Sequence, residues 1–474
     1  MEEEQTNITS RARLLPVEED GPASSVSVSL PARLKQNLRC KQGWSEVSGS
    51  LGDLGTFVPI VVALTLVNGL DLGTTLIFTG IYNILTGLIW GIPMPVQPMK
   101  SIAAVAISEG KHLTIPQIMA AGICTAGTLF ALGVTGLMGF LYRFLPLPVV
   151  RGVQLSQGLS FAFTAVKYVK KNQNFVSSKS EGDRAWVGWD GLILALVSFC
   201  FIVLVTGSGD DMQENQVGDD DRGDERDRRR SNRYLRIVSA IPSALIVFLV
   251  GIIISICRKP EILKQLTLGP SKLHVVSISR NDWKVGFVRA AIPQIPLSVL
   301  NSVIAVCKLS NDLFPLKEVT ATSVSASVGV MNLVGCWFGA MPVCHGAGGL
   351  AGQYRFGARS GASVVFLGTA KMVLGLLLGS SLVKILTQFP VGLLGVLLLF
   401  SGIELAMACR DMNSKQDAFV MLMCTSVSLT GSSAALGFGC GIVLYILLKL
   451  RELNYDECIE LCRASRRKLP ETVA

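Results

Sequence analysis

The sequence predicts an all-α polytopic membrane protein, built as a seven-plus-seven inverted repeat that contains two half-helices. Its composition is the first reason: half of the 474 residues are apolar and 16% are charged, whereas soluble domains have roughly 25% charged residues. The apolar residues also form blocks that are long enough to cross a bilayer. The third reason is a phrase of glycine, asparagine and proline that occurs in both halves of the chain.

Eleven apolar blocks have the length of about 20 residues that a bilayer-spanning helix needs, and three shorter segments bring the predicted number to fourteen. The short segments lie near residues 98–109, 345–356 and 416–430. The long blocks lie near residues 47–68, 72–92, 115–141, 146–168, 186–206, 235–257, 286–306, 319–340, 361–381, 385–408 and 433–450.

The chain is predicted to have polar tails at both ends and a charged linker inside the first repeat. Residues 209–236 mix acids and bases without an apolar face, which is typical of a disordered segment. The predicted ranges are 1–46 for a cytosolic N-terminal tail, 47–208 for the first repeat with segments 1–6, 209–234 for the charged disordered linker, 235–257 for segment 7, 258–285 for a polar loop, 286–450 for the second repeat with segments 8–14, and 451–474 for a cytosolic C-terminal tail.

Two phrases in the first half recur in the same order in the second half. The first phrase contains Gly-x-x-Asn, two further glycines and Met-Pro-Val, and its copies occupy residues 80–96 and 329–343. The second phrase begins at Pro148 and at Pro390. Small residues at four-residue spacing also recur by chance in membrane chains, but two matches in one order favour duplication. Because each copy has seven segments, an odd number, the repeats are inverted.

Each copy contains a stretch that a continuous helix cannot cross. Three prolines in residues 93–98 remove backbone donors and clash with preceding carbonyls, which predicts an extended stretch and a half-helix that starts near Pro98. Residues 342–349 are predicted to do the same with glycines, which let backbone amides approach a ligand closely. Two half-helix N-termini at one cavity predict an anion site, and Lys100 adds a full positive charge to it.

Two acidic residues are candidates for coupling or gating. Asp53 lies among small residues at the start of the first span, where it either caps the helix, pairs with Lys100 or carries a proton. Glu404 lies inside an apolar run, and a carboxylate there favours a functional role such as proton-coupled transport. The alternative for Glu404 is an ion pair with Arg410 or Lys384.

Three further polar residues are candidates near the half-helix starts. Gln97 and Gln353 are neutral donors for a bound anion, although such residues also hydrogen-bond between helices. His345 is the only histidine in an apolar context, and it is either a donor near the anion or a structural hydrogen-bonding residue. Cys344 alone does not complete a metal site with it, so neither a metal site nor a cofactor is predicted. The sequence has no nucleophile and base pair that indicates an enzyme.

Three motifs carry a resemblance to a known family: Gly52-Asp53-Leu-Gly55-Thr56, Met94-Pro-Val-Gln97-Pro98-Met-Lys100-Ser101 and Met341-Pro-Val-Cys-His345-Gly-Ala-Gly348-Gly349-Leu-Ala-Gly352. Together they resemble the plant-type molybdate transporters, relatives of the sulfate permease superfamily, over about residues 44–450. The resemblance implies a fourteen-span fold with a core domain that carries the half-helices, a gate domain, and molybdate as the high-affinity substrate. It places the anion between two sets of residues: Gln97, Lys100 and Ser101 on one side, and Gly346 and Gly348 on the other.

The predicted function is high-affinity molybdate transport by alternating access, with proton coupling through Glu404 or Asp53. Helix starts and one lysine predict only a small anion, because tetrahedral molybdate and sulfate carry the same charge. Molybdate therefore follows from the resemblance alone. The alternatives are a transporter of sulfate or another small oxyanion, and an anion channel that uses the same site.

The predicted partners follow from the distribution of charge. Much of the basic charge behind the net charge of +9 lies in tails and loops beside apolar blocks, where it meets lipid head groups, so nucleic acid is not predicted. The predicted partners are molybdate, with tungstate or sulfate as competitors, membrane lipid, and a second copy of the chain in a homodimer. Leu14-Leu15 resembles a dileucine sorting signal, which favours the vacuolar membrane, with the plasma membrane as the alternative.

Overall fold

A computed structural model of the chain describes residues 30–40, 43–107, 112–174, 179–207, 241–431 and 434–452. These residues are mostly helical, which confirms the predicted fold class. The predicted charged linker at 209–234 lies outside them, as do residues 1–29 and 453–474 of the two predicted tails.

The described residues contain fourteen segments, numbered here in chain order. Segment 1 comprises Trp44–Ser50 and Leu54–Asn68, and segments 2 to 7 are Leu72–Trp90, Lys100–Ile107, Ile115–Val134, Leu147–Lys170, Leu192–Thr206 and Ser243–Arg258. Segment 8 is the helical stretch Arg280–Leu313, and segments 9 to 14 are Ala321–Gly335, Ala347–Arg355, Gly361–Leu378, Val391–Met407, Lys415–Thr430 and Ala434–Glu452. Short helices and turns lie at Leu30–Asn37, Leu137–Phe144, Pro260–Gln265, Cys336–Phe338, Gly379–Leu382 and Val383–Leu386.

Among the described helices, seven are long and apolar enough to cross a membrane. Three shorter apolar helices have 10 to 17 residues and form segments 6, 7 and 12. Segments 3 and 10 have 8 and 9 residues, which is far below the length of a bilayer-spanning helix. The chain is therefore a multi-pass membrane protein that contains two half-helices.

Segment 8 begins earlier than the sequence predicts. Its first residue is Arg280, which lies inside the predicted polar loop 258–285. The start is fixed by a capping box, in which the Ser279 hydroxyl accepts from the Asp282 N–H while the Asp282 carboxylate accepts from the Ser279 N–H. Two π-helical stretches follow in this segment, on either side of a short α-helical part that contains two prolines.

The structure contains short strands, which the all-α prediction does not include, and two of them lie just before the half-helices. The four strands of the described residues are β1 (Val96–Pro98), β2 (Lys171–Asn174), β3 (Lys179–Asp183) and β4 (Val343–His345), and they pair as β1 with β4 and β2 with β3. Backbone groups that cannot bond within a helix need other partners in an apolar interior. The extended stretches of the two repeats satisfy this need by pairing with each other.

The pairing of β1 with β4 is symmetric between the two repeats. Gln97 pairs with Cys344 at the centre of the antiparallel register, and the equivalent residues Val96 and Val343 take equivalent places on either side. The helices follow the same relation, because segment 2 packs on segment 11 while segment 4 packs on segment 9. Exchange of the repeats leaves these contacts unchanged, as an inverted duplication requires.

Equivalent asparagines hold the two strands in place. Oδ1 of Asn83 accepts a hydrogen bond from the Val96 N–H at 2.9 Å, and Oδ1 of Asn332 accepts from the Val343 N–H at 2.6 Å. Both asparagine side chains are buried. The asparagine of the repeated Gly-x-x-Asn phrase therefore anchors the extended stretch in each copy, which explains why it recurs.

The segments form two helix groups. Segments 1–4 pack with segments 8–11, and segments 5–7 pack with segments 12–14. The first group carries the two half-helices and corresponds to the expected core domain, while the second corresponds to the expected gate domain. Segment 12 joins them by contacts with segments 1 and 10. Strands β1 and β4 therefore lie inside the first group, within reach of segment 5 of the second.

Candidate anion-binding site

A small cavity lies where β1 and β4 pair and the two half-helices begin. Both repeats line it, since its walls come from the starts of segments 3 and 10 and from segment 8. The lining residues are Gln97, Pro98, Lys100, Gln294, Leu297, Asn301, Ser302, Cys344, Gly346, Ala347 and Gly348. Four predicted site residues are thus brought together: Gln97, Lys100, Gly346 and Gly348.

Lys100 supplies the positive charge of the cavity. It is the first residue of segment 3, and it is the only cationic side chain among the described residues that line the cavity. Its Nζ lies 3.7 Å from the centroid of the Phe161 ring, in a cation–π contact. Phe161 belongs to segment 5, so a residue of the second helix group covers the lysine in this structure.

Gln97 is oriented differently from the donor role that the sequence suggests. Its Nε2 donates to Oδ1 of Asp53 and, at 3.0 Å, to the hydroxyl oxygen of Thr56. Both amide protons are therefore used within the protein. Its Oε1 points at Gly346, where an added Cβ would overlap it. In this structure Gln97 presents an acceptor rather than a donor beside the cavity.

Glycine just before segment 10 and in its first turn leaves room for neighbouring side chains. A Cβ on Gly346 would collide with the Gln97 side chain, and a Cβ on Gly348 would collide with the Phe161 ring. Both neighbours are themselves held, Gln97 by hydrogen bonds and Phe161 by burial. The glycine-rich phrase therefore lets the start of segment 10 pack directly against β1 and segment 5.

The start of segment 3 is capped by a side chain of segment 8. Oε1 of Gln294 accepts hydrogen bonds from the Ser101 N–H at 2.9 Å and the Ile102 N–H at 3.4 Å. These amides were expected to face the anion, and a neutral amide oxygen takes that place here. Ser101 itself is not among the residues that line the cavity. Sequence reasoning missed Gln294, Asn301 and Ser302, although polar residues inside an apolar segment are a usable signal.

Asp53 lies behind Gln97 and is completely enclosed. Its Oδ1 accepts from the Thr56 hydroxyl at 2.7 Å as well as from Gln97, while its Oδ2 has no hydrogen-bond partner among the described residues. It does not act as a helix cap, because its side chain accepts no backbone N–H at the start of Leu54–Asn68. The charges of Lys371 and Lys100 both act on it.

Lys371 is a residue of this cluster that sequence reasoning missed. It lies in the middle of segment 11 and is 4% exposed. Its Nζ lies 3.6 Å from the centroid of the Phe57 ring and has no hydrogen-bond partner in the described part of the chain. A single ionisable residue in an apolar span is a signal for function. The same signal identified Glu404.

Two predicted site residues lie away from the cavity lining. His345 is buried, its ring meets Trp90 edge to face with centroids 5.5 Å apart, and its Nε2 is 3.4 Å from the Ser327 hydroxyl. Gln353 is buried as well and joins helices, because its Oε1 accepts from the Ser363 hydroxyl at 3.1 Å. These contacts favour the structural alternative for both residues.

Glu404 also lies outside the cavity lining. A carboxylate oxygen of Glu404 on segment 12 is 3.9 Å from a guanidinium nitrogen of Arg355, at the C-terminal end of the second half-helix. The guanidinium group also donates to the Gly207 carbonyl at 2.6 Å. Glu404 therefore contacts the far end of the half-helix, at the boundary between the two helix groups.

The arrangement is suited to binding a small anion reversibly. It offers one lysine, two half-helix starts that each carry roughly half a positive charge, and hydroxyl and amide groups from segment 8. All of these lining residues belong to the first helix group, and the second group reaches the site through Phe161, whose ring contacts Lys100.

Known proteins resemble the chain over most of its length. A family profile described as "Molybdate transporter of MFS superfamily" matches residues 45–161 and 286–405, which include both half-helices. Molybdate transporter 2 of Arabidopsis thaliana is 65% identical over 434 residues, which cover 91% of this chain and 93% of the relative. Molybdate transporter 1 of the same plant is 60% identical over 424 residues, covering 89% and 91%. Molybdate transporter 1 of Chlamydomonas reinhardtii is 37% identical, covering 84% and 90%.

Solved structures of anion transporters share the fold. The murine anion transporter Slc26a9, in its inward-facing state, matches with a TM-score of 0.54 and 16% identity, over 92% of this chain and 74% of that one. The transmembrane domain of the bicarbonate transporter BicA from a cyanobacterium matches with a TM-score of 0.51 and 13% identity, over 84% of this chain and 97% of that one. These matches concern the fold, and they confirm the predicted architecture of core and gate.

Proposed function

Since the chain belongs to the molybdate transporter family, we propose that it carries molybdate across a membrane by alternating access, with the oxyanion bound between the two half-helices. One observation supports this site above all: Lys100 and the starts of both half-helices meet at one cavity in the protein interior. A dianion needs such compensation, because an uncompensated charge is costly away from water. The names of the relatives supply the identity of the anion, and the members of this family are transporters rather than enzymes.

The contacts of segment 5 support a gating movement. Phe161 covers Lys100, and Oε1 of Gln157 accepts a hydrogen bond from Nδ2 of Asn301 at 2.6 Å. Both Phe161 and Gln157 belong to the gate group, whereas Lys100 and Asn301 belong to the core group. The Phe161 ring therefore covers one side of the Lys100 ammonium group, while Lys100 also lines the cavity. Movement of segment 5 against the half-helices would open the site, as alternating access requires.

Transport by the purified chain in liposomes tests the proposed function. With an inward proton gradient imposed on the liposomes, we expect saturable molybdate uptake that accumulates the anion against its own gradient. Tungstate should compete about as well as molybdate because the two anions are nearly equal in size, while the smaller sulfate should need a concentration about tenfold higher, which corresponds to 1.4 kcal/mol of binding free energy. If sulfate competed as well as tungstate, the chain would be a general transporter of tetrahedral dianions. Flux without accumulation would identify a channel.

We propose that Asp53 couples transport to protons. It is enclosed beside the anion site, and its unpartnered Oδ2 is an atom that can take up a proton as the dianion arrives. Glu404, the other expected carboxylate, lies beside Arg355 instead. The Asp53→Asn variant should still bind molybdate. Its uptake under an inward proton gradient should be at least about tenfold slower than that of the wild type. Glu404→Gln should keep that dependence, and the reverse outcome would assign coupling to Glu404.

We also propose the vacuolar membrane as the location, on the basis of Leu14-Leu15 in the N-terminal tail. This motif lies outside the described residues, and the plasma membrane is the alternative. Imaging of a Leu14→Ala/Leu15→Ala variant in plant cells distinguishes the two, since an unchanged location would rule out the motif. Membrane lipid and a homodimer stay predictions.

A further inference from the structure

Lys371 is a buried cation that the proposed transport cycle does not use. It lies on segment 11, it does not line the cavity, and its ammonium group is in contact with the Phe57 ring without a hydrogen bond from the described residues. A lysine at such a depth costs roughly 2.5–3.5 kcal/mol when it replaces an apolar residue at the centre of a span. The cost of burying Lys371 indicates that its charge, and not the packing of its side chain, accounts for its presence.

Lys371 reaches the segment that carries Asp53: its ammonium group lies over the Phe57 ring, and the Phe57 N–H donates to the Asp53 carbonyl at 3.2 Å. Opposite charges attract strongly in an apolar interior, so the Asp53 carboxylate offsets the charge of Lys371 on one side and of Lys100 on the other. Asp53 further contacts Gln97, a lining residue, by a hydrogen bond. The three charged groups therefore form a row from segment 11 through segment 1 to the anion site. Two other titratable groups lie on β4: Cys344 lines the cavity, and His345 faces Trp90 on the other side of the strand.

We infer that Lys371 sets the charge preference of the anion site, so that it selects doubly charged over singly charged oxyanions. Before Asp53 takes up a proton, its carboxylate and the two lysines give the row a net charge of +1, and the two half-helix starts add roughly half a charge each. The total of about two positive charges matches a dianion. Without Lys371, Asp53 cancels Lys100, and only the helix starts remain. This inference rests on the proposed function, because it requires the anion to bind beside Lys100.

Molybdate and perrhenate provide the test, because both are tetrahedral oxyanions of similar size but carry two charges and one charge. The Kd of each is measured on the purified full chain, for the wild type and for Lys371→Met. We expect the Kd for molybdate to rise about tenfold, which is 1.4 kcal/mol, and the Kd for perrhenate to rise about threefold, because the Coulomb energy of a monoanion is half that of a dianion. The ratio of the two constants is the readout that a purely structural role would not move.

Two further variants control the experiment. Lys384→Met makes the same substitution at an exposed lysine of the Val383–Leu386 helix, and it should leave both constants unchanged because solvent screens that charge. Asp53→Asn/Lys371→Met restores the net charge of +1 and leaves no unpaired charge in the interior, which keeps the protein foldable if the single variant is not. In this double variant the ratio of the two constants should return towards that of the wild type.

The outcomes separate this inference from the proposed function. Equal weakening of both anions in Lys371→Met, or a double variant that folds with an altered ratio, would overturn the role of Lys371. A wild-type protein that binds neither anion would overturn the proposed function instead.

Discussion

Replacement of Lys100 by methionine is expected to raise the Kd for molybdate by at least about a hundredfold, equivalent to 2.7 kcal/mol. Lys100 is the only cationic side chain among the described residues that line the cavity. A unit charge about 4 Å from a dianion contributes several kcal/mol even at an effective dielectric constant of about 20. Methionine keeps most of the length and the apolar contact with the Phe161 ring, so the change isolates the charge. Binding competition on the purified protein measures it.

Lys384→Met serves as the matched control here as well, because it removes an exposed lysine of the Val383–Leu386 helix that does not line the cavity. It should bind molybdate like the wild type. If Lys100→Met also bound molybdate like the wild type while remaining folded, the anion would have to bind elsewhere, and the assignment of the cavity between segments 3 and 10 would be wrong.

Local sequence signals located the two half-helices because backbone chemistry acts over short distances. Prolines in residues 93–98 cannot take part in a helix, and the structure has β1 there, followed by a helix that starts at Lys100. The glycine phrase at residues 342–349 leads in the same way to β4 and segment 10. The pairing of β1 with β4 could not be read from either phrase, because it depends on how the two repeats meet.

The orientation of single side chains in these phrases was harder to predict. Cys344 and Gly346 line the cavity, while His345 between them points away towards Trp90. Successive residues of an extended strand face opposite sides, so a motif that is continuous in sequence is divided in space. Gln97 lines the cavity as predicted, but its donors are directed at Asp53. That direction is set by segment 1 and not by the motif around Gln97.

Residues that act from distant segments were missed for a related reason. Gln294 caps the start of segment 3 from a position 193 residues away, and Lys371 acts on Asp53 from segment 11. Neither residue lies in a recognisable motif. Each is nevertheless a polar residue in an apolar segment, and such residues indicate contacts between helices or a function.

The close packing of Gly346, just before segment 10, against Gln97 leads to the second large effect. Gly346→Ala is expected to reduce molybdate uptake at least about tenfold, because the new methyl group would overlap Oε1 of Gln97 and lie 2.7 Å from its Cδ. The backbone at Gly346 has φ −128° and ψ 124°, an extended conformation that any residue adopts, so the obstacle is space and not strain. Gln97 cannot move aside without losing its hydrogen bonds to Asp53 and Thr56, and a displaced Gln97 would enter the cavity. Uptake into liposomes, normalised to the amount of folded protein, measures this effect.

Gly127→Ala is the matched control, since nothing lies within 4 Å of a Cβ at that position of segment 4 and alanine favours a helix by up to about 1 kcal/mol. It should transport molybdate normally. The double variant Gly346→Ala/Gln97→Ala separates steric overlap from loss of the ligand-binding group, because removal of the Gln97 side chain relieves the overlap. We expect it to be more thermally stable than Gly346→Ala alone but less stable than the wild type, because Asp53 loses a hydrogen-bond donor. Full activity of Gly346→Ala alone would mean that Gln97 moves freely. The orientation in which Gln97 donates to Asp53 would then not be fixed in the working transporter.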